Sequence, residues 1–341
     1  MNNWTLLGVK NLTNSPTEFK AVGPTQVKVK ITHLLISNFD ALVYSGEIKA
    51  AYPKILGRFA IGIVTEVGEK CYGIVKGARV YLESTRACGK CYSCLSGKRD
   101  ICENIQLAGK DYDGFLRDFA VLEYTDVAVL PESVEDILAL CIGTVGIAEN
   151  IYDKLNLSAG QKVAVVGADF TGNIIAQVLQ YHKIIPIIID NTPGNLQKAK
   201  DSGLFYAFPA DEELDEKVKN VTSGNMCDAA VYSSASRLPL SLPTRLVRKG
   251  KQLVLTGSTT MHAQLDAEEI IEKSLNVSGV MNEFNYTDTA INMLIHGAIN
   301  IDSFDKEVLS QFNPVNILKE RCDAITSSNK GKMTVLQLIF K

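Results

Sequence analysis

At 341 residues the chain is long enough for roughly two domains of about 150 residues each, which excludes a mini-protein. Hydrophobic residues make up 46% and charged residues 21%, and 35 Lys+Arg against 38 Asp+Glu leave a net charge of -3, excluding a polybasic nucleic-acid binder and an acidic disordered chain. The longest strongly apolar stretch, Ile184 to Ile189, is broken by Pro186 and falls far short of the roughly 20 residues that span a bilayer, so no membrane partner is expected.

The N-terminus, Met1-Asn2-Asn3-Trp4-Thr5, has no basic region followed by an apolar run, and a cytoplasmic location is the default expectation. Gln26 to Ile36 alternates apolar and polar residues before becoming continuously apolar, as a strand entering a core does. Gly62 to Gly68, Gly77 to Tyr81, Phe115 to Val121 and Val127 to Leu130 are further short β-like segments, so the first third is expected to be mainly β.

Within this third lie Cys88, Cys91, Cys94 and Cys102, while Cys71, Cys141, Cys227 and Cys322 are scattered. Eight cysteines are too few for a disulfide scaffold, and in a reducing compartment a C-x2-C-x2-C-x7-C run suits four thiolates around one tetrahedral zinc. Such a site is closed on all four corners and therefore structural; an iron-sulfur cluster or four reduced thiols are the alternatives.

After Pro131 two helical stretches are expected, Val134 to Leu140 and Val145 to Leu155, and beyond Gly160 strand and helix alternate. Lys162 to Val166, Pro186 to Ile189, Ala229 to Tyr232 and Gln252 to Leu255 read as buried parallel strands, with Ile174 to Tyr181 and Leu196 to Ser202 as helices between them. This is a doubly wound α/β unit. The tail from Ile291 is mixed, and Met333 to Ile339 reads as a strand that could return to the first domain.

The first of the parallel strands runs into Gly167-Ala168-Asp169-Phe170-Thr171-Gly172 and then a helix, the context of a dinucleotide fingerprint. Asp190 closes the next strand, where an acid binds ribose hydroxyls and disfavours a 2'-phosphate, so NAD is the expected cofactor. Asp169 stands where the second glycine is usual. It either crowds the pyrophosphate or caps the following helix, occupying donors that would serve a phosphate.

The cysteine lobe, the nucleotide turn, Tyr112-Asp113-Gly114-Phe115 and Leu130-Pro131-Glu132 together resemble the zinc-containing medium-chain alcohol dehydrogenases across essentially the whole chain. The resemblance implies a GroES-like β-rich catalytic domain, residues 1–144 and 284–341 with the zinc lobe at 88–102, and a Rossmann nucleotide-binding domain at 145–283. It also implies NAD, zinc, a small alcohol or carbonyl substrate, and a homo-oligomer, dimer or tetramer, paired through the edge of the nucleotide sheet, which Gln252 to Leu255 with the following Val277 to Val280 could supply.

Most of the family's catalytic zinc site does not carry over. Ser37 stands for the first Cys ligand, Phe39 for the hydroxyl that relays the alcohol proton, Arg58 for the His ligand and Phe59 for the nearby Glu. Cys141 alone falls where the third ligand is expected. Arg offers no lone pair and repels a cation, so no catalytic zinc is expected. Arg58 has two readings: a cation that polarises a carbonyl or binds an anionic substrate, with Ser37 as a hydrogen-bond donor, or a charge paired with Asp40 in a retired site. Cys141 is either a site residue or a small buried hydrophobe. His33, His182, His262 and His296 lie in no ligand spacing, and Asp111 and Asp113 read as turn residues. The expected function is NAD(H)-dependent hydride transfer; the alternative is a catalytically inactive binding or assembly subunit.

Overall fold

The computed structural model describes residues 2–16, 21–233, 238–257, 265–310, 313–326 and 332–338. Two sheets organise them. The first has seven strands, six of them running Val127–Val129, Arg79–Leu82, Phe59–Val67, Gln26–Ile36, Lys332–Gln337 and Asp305–Leu309, with Phe119–Glu123 also paired to Gln26–Ile36. The strand near the C-terminus thus lies antiparallel against the strand from residue 26, in the first domain as expected.

The second sheet is parallel throughout, in the order Tyr206–Pro209, Ile185–Asp190, Lys162–Val166, Cys227–Ser233, Val247–Thr256 and Asn276–Val280. Its central strand is apolar because both faces are covered: Val163, Ala164, Val165 and Val166 are fully buried. The chain order reverses on either side of Lys162–Val166, and a crevice opens at the carboxyl ends of the strands at such a switch point. Asn276–Val280 is the edge strand. The helix Ile142–Leu155 spans the expected junction at 144/145, and no helix of the described residues is long and apolar enough to cross a membrane.

Where the structure departs from the sequence reading, hydrogen bonds account for it. The strand expected from Phe115 begins only at Phe119, because the Phe115 and Leu116 amides donate to the carbonyls of Gly57 and Leu56 at 2.9 and 2.8 Å. The helix expected from Val134 is confined to Asp136–Ala139, because Arg79 takes the Pro131 and Val134 carbonyls at 3.3 and 2.8 Å. Gln26–Ile36 and Lys162–Val166 have the expected bounds. Tyr206–Pro209 and the helix Pro314–Thr326 have no strong pattern in the sequence and were not anticipated.

Gly114 fixes the approach of its segment to residues 55–57. A Cβ there would lie 2.3 Å from the Gly57 carbonyl oxygen and 2.5 Å from that of Leu56, so only glycine fits. The contact clamps the backbone that presents Arg58. Gly114→Ala should therefore cost about 1–3 kcal/mol of stability, read as a lower midpoint of thermal unfolding; an unchanged midpoint would contradict the clamp.

Candidate active site

The nucleotide turn is closed tightly. A Cβ on Gly172 would lie 1.8 Å from the Gly167 carbonyl oxygen, so the helix Phe170–Tyr181 packs against the turn only with glycine there. Asp169 is the N-cap of that helix: its Oδ1 accepts the Gly172 amide at 3.1 Å and the Ser233 hydroxyl at 3.4 Å. The capping alternative is what the geometry shows, and one amide of the helix N-terminus is therefore engaged internally. Asp190 is buried and accepts the Ala168 and Thr192 amides at 2.8 and 2.7 Å and the Asn195 side chain at 3.3 Å. Its carboxylate braces the turn rather than standing free toward a ribose, a correction to the simpler expectation. Two features nevertheless suit a dinucleotide: the glycine cradle, and the Thr256 hydroxyl, which is buried at the end of its strand with no partner among the described residues.

Across the crevice Arg58 is 3% exposed and stacks near the rings of Phe39 and Phe59, its guanidinium 5.3 and 5.0 Å from their centroids. Its partner is not Asp40. Arg58 Nη2 donates to Glu283 Oε2 at 2.8 Å and to the Met281 carbonyl at 3.4 Å, while Nε donates to the Ser84 hydroxyl at 3.2 Å. Glu283, 1% exposed, also accepts the Thr85 hydroxyl at 2.8 Å and that of Ser84. These bonds engage Nε and Nη2; Nη1 has no hydrogen-bond partner among the described residues, and Arg58 lines the cleft with Asp169, Thr171, Ser233 and Thr256. Sequence reasoning missed Glu283. It stands three positions beyond the edge strand Asn276–Val280, and no local pattern marks it.

Asp40 instead closes a capping box with Ser37 at the start of the helix Asn38–Ser45. Asp40 accepts the Ser37 amide at 2.9 Å, the Ser37 hydroxyl at 2.6 Å and the Gly57 amide at 3.0 Å. Burial pushes the Asp40 carboxyl up from its ordinary value, opposed by these bonds and by the Arg58 charge. Ser37 lines the cleft, but its proton is directed at Asp40, so the expected donation to a substrate is not its resting arrangement. Cys141 does not line the cleft. Its thiol is fully buried against the Ile137 carbonyl at 3.9 Å and burial pushes it up to about 12, as suits the small-hydrophobe alternative. Arg321, on the helix Pro314–Thr326, lines the cleft facing the charges of Asp169 and Asp40, and was not anticipated.

In the lobe, the sulfurs of Cys88, Cys91, Cys94 and Cys102 lie within 4.8 Å of one another, with Cys88–Cys94 at 4.0 Å and Cys91–Cys102 at 3.9 Å. Zinc bonds of about 2.3 Å place tetrahedral sulfurs about 3.8 Å apart, so the donor set fits the ion. Amides of Cys88 and Asn104 donate to the Cys102 sulfur at 3.3 Å each. Backbone donors at Lys90 and Cys91 hold the Cys88 thiol down at about 6, whereas burial and the neighbouring sulfurs push Cys94 up to about 12. A full set of thiolates therefore needs a cation.

His33, His182, Asp111 and Asp113 make structural contacts. His33 lies 3.6 Å from Asp136, His182 is bonded to Glu149 at 2.7 Å, and His262 is outside the described residues. Asp111 accepts the Leu107 amide and Asp113 the Ile55 amide, as turn residues do.

A parallel nucleotide-binding sheet, a β-rich partner domain and a four-cysteine lobe define a two-domain dehydrogenase. A family model described as an alcohol dehydrogenase GroES-like domain matches residues 23–132, and one described as a zinc-binding dehydrogenase matches residues 171–295. Together they cover more than half of the chain, which belongs to the zinc-type alcohol dehydrogenase-like oxidoreductases of the medium-chain family. The starvation-sensing protein RspB of Escherichia coli K12 is 29% identical over 287 residues, 82% of each chain. An L-threonine 3-dehydrogenase of Pseudoalteromonas atlantica is 24% identical over 326 residues, 93% of this chain and 94% of its own. The crystal structure of a short chain alcohol dehydrogenase (rspB) from E. coli CFT073, complexed with the cofactor NADH, is similar with a TM-score of 0.85 at 24% identity over 99% of each chain.

Removing one member of the Arg58–Glu283 pair leaves the other charge buried alone. Glu283→Ala should destabilise by about 3–5 kcal/mol, and the double variant Arg58→Met with Glu283→Leu should recover most of that loss. Chemical denaturation of the unsubstituted protein, Glu283→Ala and the double variant checks this, and a double variant no more stable than Glu283→Ala would contradict a coupled pair.

Proposed function

We propose that the protein transfers hydride between NAD(H) and a small alcohol or carbonyl compound, with one structural zinc in the cysteine lobe and no catalytic zinc. The observation that carries this reading is the guanidinium of Arg58, held in the cleft with Nη1 unengaged. NAD(H) would be held along the turn from Gly167 to Gly172, beside Asp190 and Thr256, and would supply the hydride. Arg58 Nη1 donates to the substrate oxygen, stabilising the negative charge that grows there when the carbonyl is reduced, and water supplies the proton that completes the alcohol. Glu283, Ser84 and Thr85 fix the guanidinium in place, so that little reorganisation accompanies the charge development. Phe39 and Phe59 keep water from its faces.

The second reading, a non-catalytic relative, is favoured by Asp169, which occupies the Gly172 amide and places a carboxylate beside the turn. Calorimetry with NADH, followed by single-turnover oxidation of bound NADH against a panel of aldehydes, ketones and enones, separates the two. Binding and oxidation support the enzyme; no binding at millimolar NADH supports the non-catalytic relative.

Cofactor choice follows from Asp190, whose buried carboxylate, though engaged by the Ala168 and Thr192 amides, puts negative charge beside the nucleotide turn. NADH should bind about tenfold or more tightly than NADPH, and equal affinities would contradict the assignment. Elemental analysis of protein purified without chelator should give about one zinc per chain, lost in Cys91→Ser together with thermal stability. Two tightly held zincs, or one that survives Cys91→Ser, would contradict a single closed site.

A further inference from the structure

The helix Pro314–Thr326, just ahead of the strand Lys332–Gln337 in the first sheet, sends a cation into the cleft. It packs on the helix Asn38–Ser45, where the Cys322 thiol donates to the Ala41 carbonyl at 3.4 Å and anchors the turn that carries Arg321. Arg321 lines the cleft together with Asn38 and Phe39 of the first domain and with Asp169, Phe170 and Thr171 of the nucleotide turn. Its guanidinium is half-buried. Burial draws it below its ordinary value, and the charges of Asp169 and Asp40 oppose that shift. Arg58, the other cation of the cleft, is committed to Glu283. A base from one domain therefore faces, across the crevice, the acid that stands where the turn's second glycine is usual.

We propose that Arg321 is a cofactor-binding residue: it offsets the charge of Asp169 and receives the pyrophosphate of the dinucleotide, so that an acid in the turn is tolerated. The inference rests on the NAD(H) half of the hydride-transfer reading. A carboxylate at this position repels a phosphate, and Asp169 is pinned there because its Oδ1 accepts the Gly172 amide at 3.1 Å and the Ser233 hydroxyl at 3.4 Å. It cannot swing away without giving up the helix cap. A guanidinium presents five donors in a planar fork, enough to hold a carboxylate and a phosphate oxygen together. The feature that favours a non-catalytic relative is thereby answered from within the same cleft.

The test is calorimetry on the full chain with NADH and with ADP-ribose, which carries the pyrophosphate and lacks the nicotinamide. Arg321→Met should weaken both ligands about tenfold, the effect of one charge-assisted hydrogen bond. Arg321→Gln should do the same and serves if Arg321→Met fails to fold. Asp169→Asn removes the charge and keeps an oxygen for the Gly172 amide; added to either Arg321 variant it should restore both affinities to within about threefold of the unsubstituted protein. Unchanged binding in the Arg321 variants would overturn the proposal, and so would tighter binding, which would make Arg321 and Asp169 a bridge that closes the cleft. A loss confined to NADH would overturn it by placing Arg321 at the nicotinamide end, as would a double variant no tighter than the Arg321 variant alone. No binding of either ligand to the unsubstituted protein at millimolar concentration would sink the cofactor reading and this assignment with it. Binding that follows these expectations without oxidation of NADH by any carbonyl would sink hydride transfer and leave the role of Arg321 standing.

Discussion

Everything around the cleft depends on burying one guanidinium with one carboxylate. Arg58 and Glu283 are 3% and 1% exposed, and neither charge would be tolerated there alone. Each therefore obliges its own loop to meet the other's. The 55–58 loop is set by the clamp from Gly114 to Leu116, and the 281–283 segment by Asn282, which reaches the Asp100 carbonyl in the cysteine lobe and receives Asn150 from the helix Ile142–Leu155. One junction thus ties together the β-rich domain, the lobe and the end of the parallel sheet.

The same economy appears in the other polar groups of the crevice. Ser37 and Asp40 satisfy each other, Asp169 satisfies its own helix, and Asp190 satisfies the turn beside it. Groups of the cleft without a partner among the described residues include one nitrogen of Arg58 and the hydroxyl of Thr256. Recognition by such groups is directional, because each can satisfy only one or two atoms of a ligand.

Features written in a short stretch of chain were legible in the sequence. The strand Lys162–Val166 is continuously apolar because it is covered on both faces, and the cysteine spacing alone draws four sulfurs together. Asp169 as a cap was legible for the same reason, since the cap and its amide are three residues apart. The pair that organises the cleft was not. Arg58 and Glu283 are 225 positions apart, and nothing local to either says that they meet. Asp40 was the nearer candidate in sequence, but its carboxylate is held by the helix it starts and by Gly57, so proximity along the chain misled. Cys141 followed the family pattern in position while its thiol turned to the Ile137 carbonyl.

The strand Lys332–Gln337 sits between Gln26–Ile36 and Asp305–Leu309, inside the first sheet and not at its margin. During synthesis, the β-rich domain must wait for residues 332–337 to leave the ribosome before that sheet can close. The parallel sheet, built from residues 162–280, is complete much sooner. The nucleotide-binding half can therefore fold first and serve as the platform on which the interrupted domain assembles, with an open strand edge on Gln26–Ile36 in the interval. Ribosomal pausing or truncation near the C-terminus thus exposes the first domain, three hundred residues upstream, to aggregation.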